Sequence, residues 1–178
     1  GLGVRYQDES PPSIAEFISA IRTQTDARNL QLIFEPGRSI AANAGLLVTK
    51  VEYLKSTPDH NFAIVDAAMN DMLRPALYQA WLDIQTVEAH PERTAATWDI
   101  VGPVCETADF LGKNRQLAPE VDDLLAIFGA GAYGFTMSSN YNSRGRAPEI
   151  VVDGDRAHLV RKRESFADII AGESCLPD

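Results

Sequence analysis

The chain has 178 residues, 45% hydrophobic and 23% charged, an ordinary globular composition and enough length to bury one real core. Its net charge of −9 argues against nucleic acid or an anionic membrane as the main partner, and no apolar run is long enough to span a bilayer. Two cysteines, Cys105 and Cys175, make neither a disulfide framework nor a metal set, which points to a reducing, cytoplasmic setting.

The opening GLGVRY has two glycines and no methionine. It reads as a short strand after a glycine turn, in a chain cut from something longer and without a signal peptide. PPSIAEFISAIRTQTDARN follows as a helix: Ser13 and Glu16 form a capping box, and Ile14, Phe17, Ile18 and Ile21 fall on one face. LQLIFE, an unbroken apolar run ending at Glu35, has the pattern of a buried parallel strand. The first forty or so residues therefore have a β-α-β rhythm.

After Gly45 the rhythm changes. GLLVTKVEYLKS, NFAIVDAA, ATWDIVGPV, DLLAIFGAGAY, PEIVVDG and AHLVRKR read as strands, and DGDR at 153–156 as a hairpin turn. RPALYQAW reads as a helical turn with a proline near its start, and SFADIIAG as a closing helix. The expected fold from the pattern is the end of an α/β domain joined, near residues 40–46, to a mainly antiparallel β domain.

Four stretches carry candidate chemistry. In FEPGR, Glu35 would end a parallel strand, where α/β folds bind ligands. Gly37 admits backbone close to an anion, Arg38 offers a fork suited to phosphate or carboxylate, and the next residues offer N–H groups at a helix start. A Pro-Gly turn with a solvated Arg–Glu pair fits the same residues. Arg74 and Tyr78, four apart, share a helical face and suit a substrate carboxylate; an ordinary surface Arg–Tyr stack fits equally. In VGPVCETAD, Cys105 is a candidate proton donor beside the charge-recognising Glu106, or else a small buried apolar residue. In GAGAYGFTMSSNYNSR, glycines around Tyr133 let a ring approach a ligand, with Ser138, Ser139, Asn140 and Asn142 following; a strand end running into a polar loop reads the same way. His60 and His90 read as exposed loop residues, His158 as part of an outer strand, and Arg161–Arg163 as a solvated face; nothing has metal-ligand spacing.

Taken together and in order, EPGRSIAANAG, DAAMNDMLRPALY, GPVCETAD and GAGAYGFTMSSNYNSRGRAPEIVVDG resemble the C-terminal half of the diaminopimelate decarboxylases. These belong to the alanine-racemase-like, fold-type III pyridoxal phosphate group. RPALY, and glutamate rather than aspartate after the cysteine, favour that branch over the ornithine and arginine decarboxylases, which remain the alternative substrate class. A non-catalytic regulatory homologue is a second alternative, though Cys105 and Arg38 are both retained.

The resemblance implies a role for each residue. Glu35 would keep the pyridine nitrogen protonated, and Gly37 and Arg38 would hold the cofactor phosphate, with Arg38 also reaching a substrate carboxylate. Gly1 and Gly3 would close a glycine-rich phosphate loop. Arg74 and Tyr78 would bind the unreactive end of the substrate, Cys105 would return a proton to Cα, Glu106 would recognise the distal ammonium, and Tyr133 would touch both cofactor and substrate. Cys105 and Glu106 would serve the neighbouring subunit's site, implying a homodimer. The family's Schiff-base lysine lies early in its barrel, and none of Lys50, Lys55, Lys113 and Lys162 has that context. The resemblance therefore implies a C-terminal fragment of a TIM-barrel and β-domain enzyme, inactive alone: residues 1–42 would end the α/β barrel, and residues 43–178 would form the β domain, its last helix returning toward the barrel. The reaction implied is meso-2,6-diaminopimelate to L-lysine and CO2, with no metal.

Overall fold

Helix α1 (Ile14–Thr25) begins where the sequence signals it: the Ser13 hydroxyl accepts the Glu16 N–H at 3.2 Å, and the Glu16 carboxylate accepts the Ser13 N–H at 2.8 Å. The computed structural model describes residues 2–176, so Gly1 lies outside it. Two sequence expectations fail near this helix. Residues 2–6 and 30–35 form no strand, and Ile33 is largely exposed. A strand exists only as part of a ladder, and among the described residues neither segment has a neighbour to pair with. Instead Phe34 packs edge-on against Phe17 of α1, with ring centroids 6.4 Å apart.

A single-turn helix α2 (Gly37–Ala41) and a 3-10 turn (Ala42–Ala44) lead into β1 (Leu46–Ser56) and β2 (Asn61–Val65). Helix α3 (Arg74–Tyr78), β3 (Ile84–Thr86), β4 (Ala96–Val101), β5 (Phe110–Leu117) and β6 (Leu124–Phe128) follow. The strands form one six-stranded sheet in the order β3-β6-β1-β2-β4-β5. Every pairing is antiparallel except β2 with β4, which are parallel in the register Phe62↔Asp99, Ala63↔Ile100 and Ile64↔Val101. The sheet is thus mixed rather than wholly antiparallel.

The sheet curls until its two ends meet. Ile84 of β3 lies so close to Gly112 of β5 that a Cβ there would come within 2.7 Å of it, and Arg115 of β5 donates to the Leu82 carbonyl, just ahead of β3, at 2.9 Å. Inside are Val51, Ala63, Val65, Trp98, Ile100, Leu111, Leu125 and Ile127 from the strands, with Met72 and Leu82 from the connections. Thr49 is buried among them with its hydroxyl satisfied, donating to Asp66 at 2.6 Å and accepting the Ala67 N–H at 2.9 Å.

A separate two-stranded ribbon, β7 (Glu149–Asp153) with β8 (Arg156–Arg161), turns at Gly154, where φ is +60°. Ile150, Val151, Val152, Leu159 and Val160 are all exposed along it. The short α4 (Phe166–Ile169) is capped by Ser165 and Asp168. His60 and His90 are not simply free in solvent. His60 Nε2 hydrogen-bonds Asp99 at 3.0 Å, and His90 lies 3.4 Å from Glu92 and 4.0 Å from Asp123. Arg161 pairs with Glu149 and lies over the Phe135 ring.

Candidate active site

Pro36 makes the first shaping turn. Its φ of −83° and ψ of 46° bring the Gly37 N–H back onto the Glu35 carbonyl at 2.9 Å, a tight reverse turn that sets the carboxylate beside the start of α2. One expectation changes here. The Gly37 N–H is already engaged, so the amides left for an anion in this first turn are those further along. A Cβ on Gly37 would meet nothing within 4 Å, so the glycine leaves open space toward the cleft.

The second half of the cleft comes from the glycine-rich segment after β6. The Gly131 N–H donates to the Ala42 carbonyl at 3.1 Å, and the Ala130 N–H to the Gly45 carbonyl at 2.9 Å. A Cβ on Gly131 would fall 1.9 Å from the Ala41 carbonyl oxygen, so only glycine allows this approach. The contact delivers Tyr133 to α2, with its ring centroid 5.6 Å from the Arg38 guanidinium carbon. Tyr133 has φ of +63°, a conformation that a bulky side chain adopts only where its surroundings impose it.

The result is an open cleft of about 650 Å³ lined by Leu2, Gly3, Glu35, Gly37, Arg38 and Tyr133, among others. Five residues singled out from the sequence thus meet around one space. Neither Glu35 nor Arg38 is in an ion pair among the described residues. A guanidinium, a carboxylate and a phenol around such a space make a donor set that suits a phosphorylated, nitrogen-containing aromatic ring.

The other candidates stand elsewhere. Arg74, Tyr78, Cys105 and Glu106 do not line this cleft. Arg74 and Tyr78 stand four apart at the two ends of α3; Arg74 is only 8% exposed, its guanidinium 4.9 Å from the Tyr6 ring, whereas Tyr78 is 63% exposed. Arg74 Nη1 and the Tyr6 hydroxyl are both buried without a partner among the described residues. Cys105 is exposed, which excludes the buried apolar reading. The Tyr141 hydroxyl donates to Glu106 at 3.4 Å.

The polar run after Tyr133 is tied into a hydrogen-bonded knot. Asn140 donates to Glu164 at 2.7 Å and to the Arg144 carbonyl at 3.0 Å, and Arg146 bonds both Asn140 and Glu164 at 3.1 Å. Arg144 reaches back to Asn70 at 2.9 Å, tying this segment to the loop before α3. In that loop burial pushes the Asp71 carboxyl above its ordinary pKa, opposed by the Ala68 N–H and the Arg144 guanidinium. Sequence reasoning missed Tyr6, Asn70, Asp109 and Tyr141. Asp109 alone carried a signal, an acid closing a Gly-Pro loop.

Residues 14–131 match a family described as "Pyridoxal-dependent decarboxylase, C-terminal sheet domain". The chain belongs to this family. A diaminopimelate decarboxylase from Pseudomonas fluorescens is 62% identical across 100% of the chain and 42% of the relative's own length. Among solved structures, diaminopimelate decarboxylase from M. jannaschii superposes with a TM-score of 0.92 at 39% identity, covering 99% of this chain and 42% of that one. Diaminopimelate decarboxylase from Helicobacter pylori, complexed with L-lysine, gives 0.87 at 39% identity, covering 96% and 42%. The chain thus spans about two fifths of the decarboxylases it matches.

Proposed function

We propose that this chain serves as the carboxyl-terminal part of a pyridoxal phosphate-dependent carboxy-lyase that converts meso-2,6-diaminopimelate to L-lysine and CO2 in the cytoplasm. The observation that carries the reading is the convergence of the Glu35–Arg38 turn and Tyr133, which is remote from it in sequence, on one cleft. The names of relatives at 62% and 39% identity support the choice of substrate.

In this reading Arg38 and the backbone around Gly37 would hold the phosphate, and Glu35 would pair with the ring nitrogen and keep it protonated. Bound there, the coenzyme supplies the sink for the electron pair left as CO2 departs. Arg38 and Tyr133 also contact the substrate, Arg74 and Tyr78 hold its unreactive carboxylate and amino end, and Glu106 takes the distal ammonium. Cys105 returns a proton to Cα. Since Cys105 and Glu106 are exposed and lie away from the Glu35–Arg38 cleft, a second copy of the protein brings them to it; the active unit is a homodimer with shared sites.

The test is a substrate panel with the complete protein and pyridoxal phosphate. Diaminopimelate releases CO2 and yields lysine, in preference to ornithine and arginine. Cys105→Ala lowers turnover by about 10²–10⁴-fold, as loss of a general acid does, with coenzyme binding unchanged. The 178-residue chain alone releases no CO2, because none of its lysines lines the cleft. Preference for ornithine or arginine overturns the substrate assignment, and unchanged turnover of Cys105→Ala removes that residue from the reaction.

A further inference from the structure

The parallel pairing of β2 and β4 has a geometric result: both strands run the same way, so the loops that follow them leave the sheet side by side. One loop, residues 66–73, leads into α3 with Arg74 and Tyr78; the other, residues 102–109, carries Cys105 and Glu106. Between them sits Asp109, only 5% exposed. One carboxylate oxygen accepts the Met69 N–H at 2.7 Å, and the other accepts the Val104 N–H at 2.7 Å. Its backbone closes the second loop: its N–H donates to the Glu106 carbonyl at 3.0 Å, and its carbonyl accepts the Gly102 N–H at 3.2 Å. No cation pairs with Asp109 among the described residues, so its charge rests on amides from the two loops.

Gly102 belongs to the same arrangement. A Cβ there would lie 2.5 and 2.6 Å from the two Asp109 carboxylate oxygens and 2.8 Å from the Ala67 carbonyl. Any side chain at 102 displaces the carboxylate or the first loop. From Met69 the path continues through its neighbour Asn70, 2% exposed, whose carbonyl accepts the Ser139 N–H at 3.0 Å. Tyr141, two residues on, reaches Glu106.

We propose that Asp109 is a positioning residue: by accepting one amide from each loop it locks the segment bearing Cys105 and Glu106 against the segment that leads to Arg74. The proposal rests on the reading of Cys105 and Glu106 as substrate-facing groups. Asp109 acts through them and touches no substrate itself. Asparagine at 109 keeps one acceptor and turns an N–H₂ toward the other amide, so one half of the lock is lost.

The test uses the complete protein with Asp109→Asn and, independently, Gly102→Ala. Loss of a charged acceptor's hydrogen bond corresponds to about a tenfold fall in kcat for Asp109→Asn, with KM changed less. Alkylation of Cys105 by iodoacetamide, read site by site by mass spectrometry against Cys175, shifts severalfold in the same variant. Gly102→Ala reproduces both changes with Asp109 intact, and decides the matter if Asp109→Asn does not fold. A wild-type kcat overturns the proposal. So does a lowered kcat with an unaltered ratio of Cys105 to Cys175 alkylation, the pattern of general destabilisation. Full turnover by Cys105→Ala would instead overturn the role given to the thiol, while the alkylation ratio still reports whether Asp109 holds the loop.

Discussion

Arg74 holds a guanidinium out of water, and among the described residues no carboxylate pairs with it. It lies against the Tyr6 ring, and one of its nitrogens has no acceptor among the described residues. A buried cation without hydrogen bonds is costly, so a structure retains one where an anionic group completes it. In the proposed enzyme that group is a substrate carboxylate. Lysine cannot supply the planar fork that stacks on Tyr6 and grips two oxygens together. Arg74→Lys in the complete protein is expected to raise KM by about tenfold, the scale of one lost charged hydrogen bond, with coenzyme content unchanged. Steady-state kinetics beside a thermal melt check this; a lower melting temperature with an unchanged KM would assign Arg74 to packing on Tyr6 alone.

Among the elements, α1 shows local chemistry at its most direct. Ser13 holds the Glu16 carboxyl below its ordinary pKa, by its hydroxyl and then its N–H, against a slight burial effect. A carboxyl depressed in the folded chain contributes stability above its unfolded value, and that contribution is lost as pH falls through the folded value. Amide protection in the first turn of α1, the intrinsic exchange rate divided by the observed rate at each pH, is therefore expected to weaken as pH drops through and below the ordinary glutamate range, and to lose that dependence in Glu16→Gln. This element was fully legible in the sequence, because a cap is written in four adjacent residues. Strand β5 was not: FLGKNRQL mixes glycine, lysine, asparagine and arginine, and Arg115 is buried by spanning to the Leu82 carbonyl, a contact no local pattern encodes. The run LQLIFE erred the other way, since its apolar pattern states a need for neighbours without providing them. In the cleft, Glu35, Gly37, Arg38 and Tyr133 could be singled out, because their chemistry is unusual for their context. Asp109 was quoted and left without a role, since its partners Met69 and Val104 are brought to it only by the parallel strand pair.

At the scale of the whole molecule, one continuous core inside the curled sheet sets the stability. Ile100 sits at its centre on β4, fully buried, and pairs with Ala63 and Gly112 on its two sides. Ile100→Ala is expected to cost about 2–5 kcal/mol, because neighbours drawn from several strands cannot collapse into the space. Urea unfolding measures it as a lower midpoint with an unchanged slope. A loss below about 1 kcal/mol would mean that the sheet relaxes around the gap, as loosely packed sites do.

Because β3 and β5 turn toward each other, the large sheet offers newcomers little bare main chain to zip onto. The β7–β8 ribbon is different: both its flanks are open, and Ile150, Val151, Val152, Leu159 and Val160 decorate it with greasy side chains. Self-association by fibre-like stacking, if the polypeptide is ever stripped of what normally shields it, would begin there. Glu149 and Asp153 on one strand, and Arg156 and Arg161 on the other, interrupt that apolar run with charge and work against such stacking.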